Sequence, residues 1–207
     1  MRLYLSSFRL GKHPERLVAM VPPPGRVAVV CNAIDNEAPD VRAEKVAAEL
    51  ARLRDLGLDP SEVDLRGYDD PAAVRGMLSS YDAVWVRGGN VFVLRAALRR
   101  SGADRVIAEL LREDAIVYAG YSAGACVLAP SLRGLELCDD ASAVAEVTWE
   151  GLGILDHAFV PHLNSPGHPE TELLEKLSAS YDADGTPYVG LRDGQAIVVD
   201  GAFREVV

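Results

Sequence analysis

Three short and almost uninterrupted hydrophobic runs constrain the fold of this chain more than any other feature. They cover residues 26–33 (RVAVVCNA), 83–87 (AVWVR) and 115–121 (AIVYAGY) and are rich in β-branched and aromatic side chains. Strands without polar alternation are typical of the interior of a parallel sheet, because helices cover both of its faces. Apolar runs at residues 3–6 and 63–65 predict shorter or outer strands of the same sheet.

Stretches with helical periodicity alternate with these runs. Apolar residues recur at spacings of three and four between residues 43 and 53, which predicts a helix with one buried face that Gly57 can end. Pro71 and Asn90 are typical of the first turn and of the N-cap of two further helices. This succession predicts an α/β fold, a three-layer sandwich around a mostly parallel central sheet.

The last third of the chain has a different pattern. Strand-like segments recur at residues 154–161, 188–191, 196–199 and 202–206, and Asp-Gly turn signals separate the last three. This pattern predicts a small antiparallel extension at the edge of the sheet. Because no linker or internal repeat divides the sequence, we expect residues 1–207 to form one domain.

Composition excludes several functional classes. The chain carries 31 acidic and 21 basic side chains, a formal charge of −10, and no dense basic block, so we expect no nucleic-acid or membrane partner. No apolar window approaches a membrane span and the first residues lack a signal-peptide pattern, so we expect a cytoplasmic protein. The three cysteines, Cys31, Cys126 and Cys138, form no CxxC pair and predict neither disulfides nor a zinc site.

Residues 120–124, Gly-Tyr-Ser-Ala-Gly, follow the third hydrophobic run and precede a short helical segment. They fit the G-x-S-x-G pattern of a nucleophile elbow, in which the glycines permit a strained strand-to-helix turn. The pattern predicts that the Ser122 hydroxyl projects from the turn, beside helix N-terminal N–H groups that favour an oxyanion. A small-residue turn that only lets a helix pack on a strand is the alternative.

A serine nucleophile needs a base, and the chain has four histidines. We favour His162, which stands where a predicted strand ends, and His168 is the second candidate. His157 lies within that strand, where a structural role is favoured, and His13 lies in a polar loop. The spacing of the histidines matches no zinc motif, so we predict no metal and no other cofactor.

A carboxylate and a second glycine turn complete the predicted site. We favour Asp193 as the group that orients the histidine, with a plain Asp-Gly turn as the alternative. At Gly88-Gly89-Asn90, the Gly89 N–H can join the Ala123 N–H in an oxyanion hole, or the segment can be a tight turn capped by Asn90. An α/β-hydrolase would need an acid between serine and histidine instead, namely Asp139, Asp140 or Asp156.

Together these segments resemble the serine peptidases of the peptidase E family (peptidase family S51), the aspartyl dipeptidases, whose fold is like that of class I glutamine amidotransferases. The similar segments are Gly88-Gly89-Asn90 with Phe92 and Leu94, residues 120–125, Pro161-His162, Gly167-His168, Glu170-Thr171 and residues 190–194. The resemblance implies Ser122 as nucleophile, His162 as base, an oxyanion hole from Gly89 and Ala123, and a carboxylate at position 193.

Two positions depart from the family pattern. That pattern often has glutamate where this chain has Asp193. Its Glu-Thr-Arg block, whose arginine is expected to recognise an aspartyl side chain, is Glu170, Thr171 and Glu172 here. Because a glutamate repels a carboxylate, a preference for N-terminal aspartate would need another cation. The candidates that we considered are Arg87, Arg133 and Arg192.

We therefore expect a serine dipeptidase that hydrolyses short peptides, including Asp-Xaa, through a Ser-His-Asp triad and an acyl-enzyme. Asn90, Glu170 and Glu172 are the predicted substrate-binding residues, and a homodimer is compatible with the sequence. The alternatives are a cyanophycinase-like or other acyl hydrolase, an α/β-hydrolase esterase, and a non-catalytic binding member of the same fold.

Overall fold

The computed structural model describes all 207 residues. Its strands are β1 (Arg2–Ser6), β2 (Arg26–Val30), β3 (Asp59–Glu62), β4 (Ala83–Val86), β5 (Val117–Tyr121), β6 (Ala158–Val160), β7 (Tyr188–Gly190), β8 (Ala196–Asp200) and β9 (Phe203–Val206). Its helices are α1 (Pro14–Met20), α2 (Pro39–Asp55), α3 (Pro71–Leu78), α4 (Val91–Ser101), α5 (Ala103–Arg112), α6 (Ala123–Cys126) and α7 (Thr171–Asp184).

The larger sheet has seven strands in the spatial order β3-β2-β4-β5-β1-β8-β9. Strands β1 to β5 pair with their neighbours in parallel, whereas β8 pairs antiparallel with β1 and with β9. Parallel neighbours need long crossovers, which the intervening helices supply. The predicted mostly parallel sheet with antiparallel strands at one edge is therefore confirmed.

Buried residues lie on both faces of this sheet. In β4, Val84 and Val86 belong to the larger buried cluster, whereas Ala83 and Trp85 belong to the smaller one together with Leu53 of α2. Burial on both faces explains why the central strands show no polar alternation. The arrangement is the predicted three-layer α/β fold. None of the helices is both long enough and apolar enough to cross a membrane.

The predicted helix starts are confirmed. An oxygen of Asp70 accepts a hydrogen bond from the Ala72 N–H at 3.0 Å, and Pro71 occupies the first turn of α3. Asn90 caps α4 in the same way, because its Oδ1 accepts from the Phe92 N–H at 2.9 Å. Both caps satisfy N–H groups that have no partner within their own helix.

The structure corrects the two predicted outer strands. β1, expected from residues 3–6 as a shorter or outer strand, lies inside the sheet between β5 and β8. The strand expected at residues 63–65 is wrong, because the edge strand is β3 with the sequence DPSE. An edge strand is held by backbone hydrogen bonds and is open on one side, so it needs no apolar pattern.

The expected antiparallel extension is also only partly right. β8 and β9 form it, but β6 and β7 pair with each other in parallel in a separate two-stranded sheet. Helix α7 supplies the crossover that a parallel pair needs. The Asp193-Gly194 turn therefore connects β7 of the two-stranded sheet to β8 of the seven-stranded sheet and does not close a hairpin.

The register of β4 and β5 brings two loops together. Val86 lies opposite Gly120 in this parallel pair, so both strands end at the same edge of the sheet. The Gly88-Gly89 turn follows β4, and Ser122 follows β5. Loops at the carboxyl ends of parallel strands are where α/β proteins build their sites.

Candidate active site

Ser122 lies on the predicted sharp turn between β5 and α6. Its backbone has φ 49° and ψ −120°, a conformation that a residue with a side chain rarely adopts. A Cβ atom on Gly120 or on Gly124 would collide with the carbonyl oxygen of Val86, so both positions need glycine. The half-buried serine side chain thus sits where β5 and β4 approach closely.

His162 and Asp193 form a close pair beside this turn. The distance between His162 Nδ1 and Asp193 Oδ1 is 2.6 Å. His162 is buried directly beyond β6 and has a positive φ of 58°, whereas Asp193 is partly buried in the loop after β7. With Nδ1–H donated to the carboxylate, Nε2 is the nitrogen that can accept a proton.

Ser7 joins the two members of this pair, and no sequence motif marks it as a site residue. The side chain of Ser7 is fully buried just beyond β1. Its Oγ accepts a hydrogen bond from the His162 backbone N–H at 2.8 Å and donates one to Asp193 Oδ1 at 2.9 Å. The only available signal was that Ser7 follows an apolar run, and it became informative once β1 was placed next to β5.

Two other hydroxyl groups hold the loop that follows His162. Ser165 Oγ accepts from the Asp193 backbone N–H at 2.8 Å. Thr171 Oγ1 lies 2.8 Å from the His162 carbonyl oxygen and 2.9 Å from that of Ser165. Hydrogen bonds of three hydroxyl groups, those of Ser7, Ser165 and Thr171, therefore hold His162 and Asp193 in place.

The glycine turn after β4 lies against Ser122. A Cβ atom on Gly88 would meet the Cβ of Ser122 at 3.0 Å, and one on Gly89, where φ is 148°, would collide with the Ala33 carbonyl oxygen. That oxygen also accepts from the Asn90 N–H at 2.8 Å, which fixes the turn. Asn90 lines the pocket, but its side chain caps α4 and donates to the Asp140 carbonyl oxygen at 2.9 Å.

A pocket of about 370 Å³ opens at this edge of the sheet. Of the residues predicted for the site, it is lined by Ser122, His162, Gly89, Asn90 and Glu170. Asp193 bonds to His162 and is not itself a lining residue, and Ala123 is buried as the first residue of α6. Glu172 is exposed in the first turn of α7 and lies outside the lining.

His168 stacks on His162. The ring centroids are 3.6 Å apart and the ring planes differ by 6°, and Phe8 packs edge-on against both rings. Burial lowers the pKa of His162 below its usual value, and the hydrogen bond that its Nδ1–H donates to Asp193 opposes this shift only in part. His162 is thus a neutral imidazole near neutral pH, which is the form that a general base requires.

Two carboxyl groups line the pocket near these rings. Burial raises the pKa of Asp139 to about 7, although the Val91 N–H donates to it at 2.8 Å. Burial also raises the pKa of Glu170. Potential metal-ligand atoms of His162, His168 and Glu170 lie within 4.8 Å of one another, but the two rings lie in nearly parallel planes with centroids 3.6 Å apart, so in-plane lone pairs of both rings do not converge on one ion.

The remaining histidines and acids lie elsewhere. His157 Nδ1 is 2.6 Å from Asp156 Oδ1, and its Nε2 is 3.0 Å from a guanidinium nitrogen of Arg204, outside the pocket. His13 is exposed beside Glu15. The order of triad residues in an α/β-hydrolase would require Asp139, Asp140 or Asp156 as the acid. Each of these carboxylates accepts hydrogen bonds from other groups, and none bonds to His162.

The three arginines considered for substrate recognition separate clearly. Arg87 is half-buried and lines the pocket that contains Ser122. Arg133 stacks over the Trp149 ring at 5.0 Å and lines a different cavity. Arg192 is exposed and does not line the pocket.

Sequence comparisons identify related proteins. The sequence model of peptidase family S51 matches residues 37–206. An uncharacterised peptidase of Listeria monocytogenes is 29% identical over 163 residues, 78% of this chain and 76% of that protein. Peptidase E of Streptomyces coelicolor is 32% identical over 155 residues, which cover 73% of this chain and 62% of that protein. A protein described as a probable alpha-aspartyl dipeptidase of Drosophila melanogaster is 28% identical over 158 residues, 73% of this chain and 63% of that protein.

Solved structures share the fold. A crystal structure of a candidate peptidase E protein from Listeria monocytogenes matches with a TM-score of 0.82 at 25% identity, covering 100% of this chain and 97% of that one. A peptidase from an acI-B1 actinobacterium matches with a TM-score of 0.73 at 18% identity, 100% of this chain and 86% of that one, which shows a likeness of fold. The resemblance inferred from the sequence is therefore confirmed, and the chain belongs to peptidase family S51.

Proposed function

We propose that this protein is a serine dipeptidase that hydrolyses short peptides with a free amino terminus. One observation carries the proposal: Ser122 on its strained turn and the Asp193-bound His162 line one small pocket. A strained serine alone could be a packing feature, but a serine that shares a pocket with a buried, carboxylate-bound imidazole supports activation of its hydroxyl.

Acylation uses three groups of this chain. Ser122 Oγ attacks the scissile carbonyl carbon while its proton passes to His162 Nε2. Asp193 keeps the ring in the required tautomer and stabilises the imidazolium that forms. The N–H groups of Gly89 and Ala123 donate to the oxygen of the tetrahedral intermediate, and one such donor is typically worth about 10²- to 10³-fold in kcat.

Breakdown of the tetrahedral intermediate completes acylation, and deacylation follows. The imidazolium of His162 gives its proton to the leaving amine, and the C–N bond breaks to leave an acyl ester on Ser122. A water molecule then loses a proton to His162 as it attacks the ester, and the serine leaves with that proton restored. Every proton moves between groups of the chain, substrate and water, so the reaction needs no cofactor.

The size and charge of the pocket support a peptide of two or three residues. A volume of about 370 Å³ is in the range typical of small-ligand sites. Asp139 and Glu170 lie on one side, where an ionised carboxylate would attract the ammonium group of a free amino terminus. The name of the Drosophila relative, an alpha-aspartyl dipeptidase, agrees with this interpretation.

The test combines labelling with hydrolysis. Wild-type protein, Ser122→Ala and the partly exposed control Ser178→Ala, which lies outside the pocket lining, would be treated with a fluorophosphonate and assayed for amino-acid release from a dipeptide panel. We expect labelling and release in the wild type and the control, and neither in Ser122→Ala. Labelling of Ser122 without amino-acid release from any peptide would indicate an acyl hydrolase that is not a peptidase. The absence of both from folded wild-type protein would favour a binding protein and refute the proposal.

A further inference from the structure

Four basic side chains line the pocket that contains Ser122, although the whole chain has a net charge of −10. They are Arg9, Lys45, Arg52 and Arg87. Lys45 and Arg52 belong to α2, and Arg87 directly follows β4, so these three lie on the side of the sheet that α2 covers. The pocket therefore has a basic side in addition to its carboxyl groups.

Arg87 is the basic residue closest in the sheet to the nucleophile. It follows Val86, which lies opposite Gly120, so Arg87 stands beside Tyr121, the residue that precedes Ser122. Its Nη1 donates to the Gly88 carbonyl oxygen at 2.6 Å, and its Nε is buried without a hydrogen-bond partner. The guanidinium is thus held next to the turn that carries Gly89, with donor capacity left over.

The charges on the basic side do not cancel. The buried carboxylate of Glu49 accepts from Arg52 at 3.0 Å and lies 3.7 Å from Arg87 Nε, so one acid faces two guanidinium groups. That acid also accepts from Trp85 Nε1 at 2.8 Å. Lys45 is neutralised by Glu37 at 2.6 Å. About one positive charge therefore remains on the pair of Arg52 and Arg87, apart from Arg9, and a partly buried cation gains most from an anionic partner.

We infer that Arg87, assisted by Arg52, forms a subsite that binds a carboxylate of the substrate. The carboxylate is either the side chain of an acidic first residue or the carboxyl terminus of a dipeptide, and Arg87 offers it the guanidinium fork that suits two oxygens. This inference rests on the proposed function and names the group that the pocket recognises. It places recognition on β4 and α2, whereas Glu172, Arg133 and Arg192 lie outside the pocket.

The experiment measures binding, so that it does not depend on turnover. Calorimetry on Ser122→Ala would compare Asp-Ala, Asn-Ala and the C-terminal amide of each peptide, with and without the additional change Arg87→Gln. We expect Arg87→Gln to weaken the carboxylate-bearing ligand about 10- to 100-fold and its neutral counterpart little. If Arg87→Gln abolishes the preference for Asp-Ala over Asn-Ala, the subsite binds the side chain of the first residue. If it abolishes the preference for the free acids over their C-terminal amides, the subsite binds the carboxyl terminus.

Two controls separate recognition from folding. Arg133→Gln removes an exposed arginine outside the pocket and should leave all four affinities unchanged, whereas Arg87→Lys should keep part of the preference. If Arg87→Gln does not fold, as judged by thermal unfolding, Arg52→Gln takes its place with the same expected direction. No carboxylate preference in Ser122→Ala, or a preference that survives in the folded glutamine variant, would overturn the subsite.

The subsite and the proposed function can fail separately. Serine-dependent hydrolysis of neutral peptides with no dependence on Arg87 would keep the peptidase and remove the subsite. Carboxylate binding that depends on Arg87, in a wild-type protein that neither reacts with a fluorophosphonate nor cleaves a peptide, would keep the subsite and remove the peptidase.

Discussion

Ser7→Ala should reduce activity although Ser7 neither lines the pocket nor belongs to the proposed triad. The Ser7 hydroxyl makes two buried hydrogen bonds at once, one from the His162 backbone N–H at 2.8 Å and one to Asp193 Oδ1 at 2.9 Å. His162 also has a positive φ of 58°, so its backbone depends on such contacts to stay in place. Alanine removes both bonds and leaves a buried N–H group without a partner.

The size of the effect follows from these contacts. A buried polar group left unpaired costs about 1–3 kcal/mol in the free energy of unfolding, which lowers Tm by about 2–12 °C in a chain of this size. A displacement of a catalytic ring by about 1 Å can cost about 100-fold in rate. We therefore expect kcat to fall about 10- to 100-fold with KM changed little, because Ser7 does not line the pocket.

The assay is steady-state hydrolysis of the best dipeptide, with thermal unfolding of the same samples. Ser101→Ala is the matched control, because Ser101 is equally buried and its hydroxyl bonds to the Ala97 carbonyl oxygen at 2.9 Å, within α4. It should lose stability but keep its kcat per folded molecule. An equal kcat in the folded Ser7→Ala protein would refute the positioning role of Ser7.

Three further predictions concern the pocket. Because burial holds the pKa of His162 low, kcat/KM should rise with pH through a midpoint below about 6.5, and a midpoint above about 7 would exclude this base. Gly89→Ala should lower kcat about 10²- to 10³-fold, because the added Cβ collides with the Ala33 carbonyl oxygen and displaces an N–H donor of the oxyanion hole. The control is Gly153→Ala, which should retain activity because Gly153 also has a positive φ, 62°, but no atom lies near its added Cβ. Burial raises the folded-state pKa of Asp139 to about 7, so this group binds its proton more tightly when folded and lowers stability as pH rises from about 4 toward 7. Denaturant unfolding of Asp139→Asn should show a smaller decrease over that range, and an unchanged decrease would contradict the assignment.

The parts of the site that the sequence predicts are local ones. The elbow at residues 120–124 can be predicted because a hydrophobic strand, a turn with two glycines and the start of a helix follow one another directly in the sequence. Asn90 is predicted as a cap for the same reason, since it acts on the N–H groups two and three residues ahead. The pairing of His162 with Asp193 could be proposed because each stands at the end of a strand-like segment.

What the sequence could not predict depends on which strands are neighbours. Ser7 reaches His162 only because β1 lies between β5 and β8, and a short apolar run does not reveal an interior position. The polar strand β3 carries no apolar signal, because it pairs at an edge. The basic side of the pocket could not be predicted as a whole, because Lys45 and Arg52 have the sequence pattern of ordinary solvated helix residues. Only the position of α2 over the sheet places them in the pocket lining.

The central claim, that Asp193-bound His162 activates Ser122, is tested most directly by the rate of fluorophosphonate labelling in Asp193→Asn. Asp156→Asn is the control, because Asp156 and Asp193 each lie 2.6 Å from a histidine Nδ1 but only His162 lines the pocket. We expect a label on Ser122, with a labelling rate that falls about 10³- to 10⁴-fold in Asp193→Asn and is unchanged in Asp156→Asn. Equal rates in the wild type and in folded Asp193→Asn would contradict it.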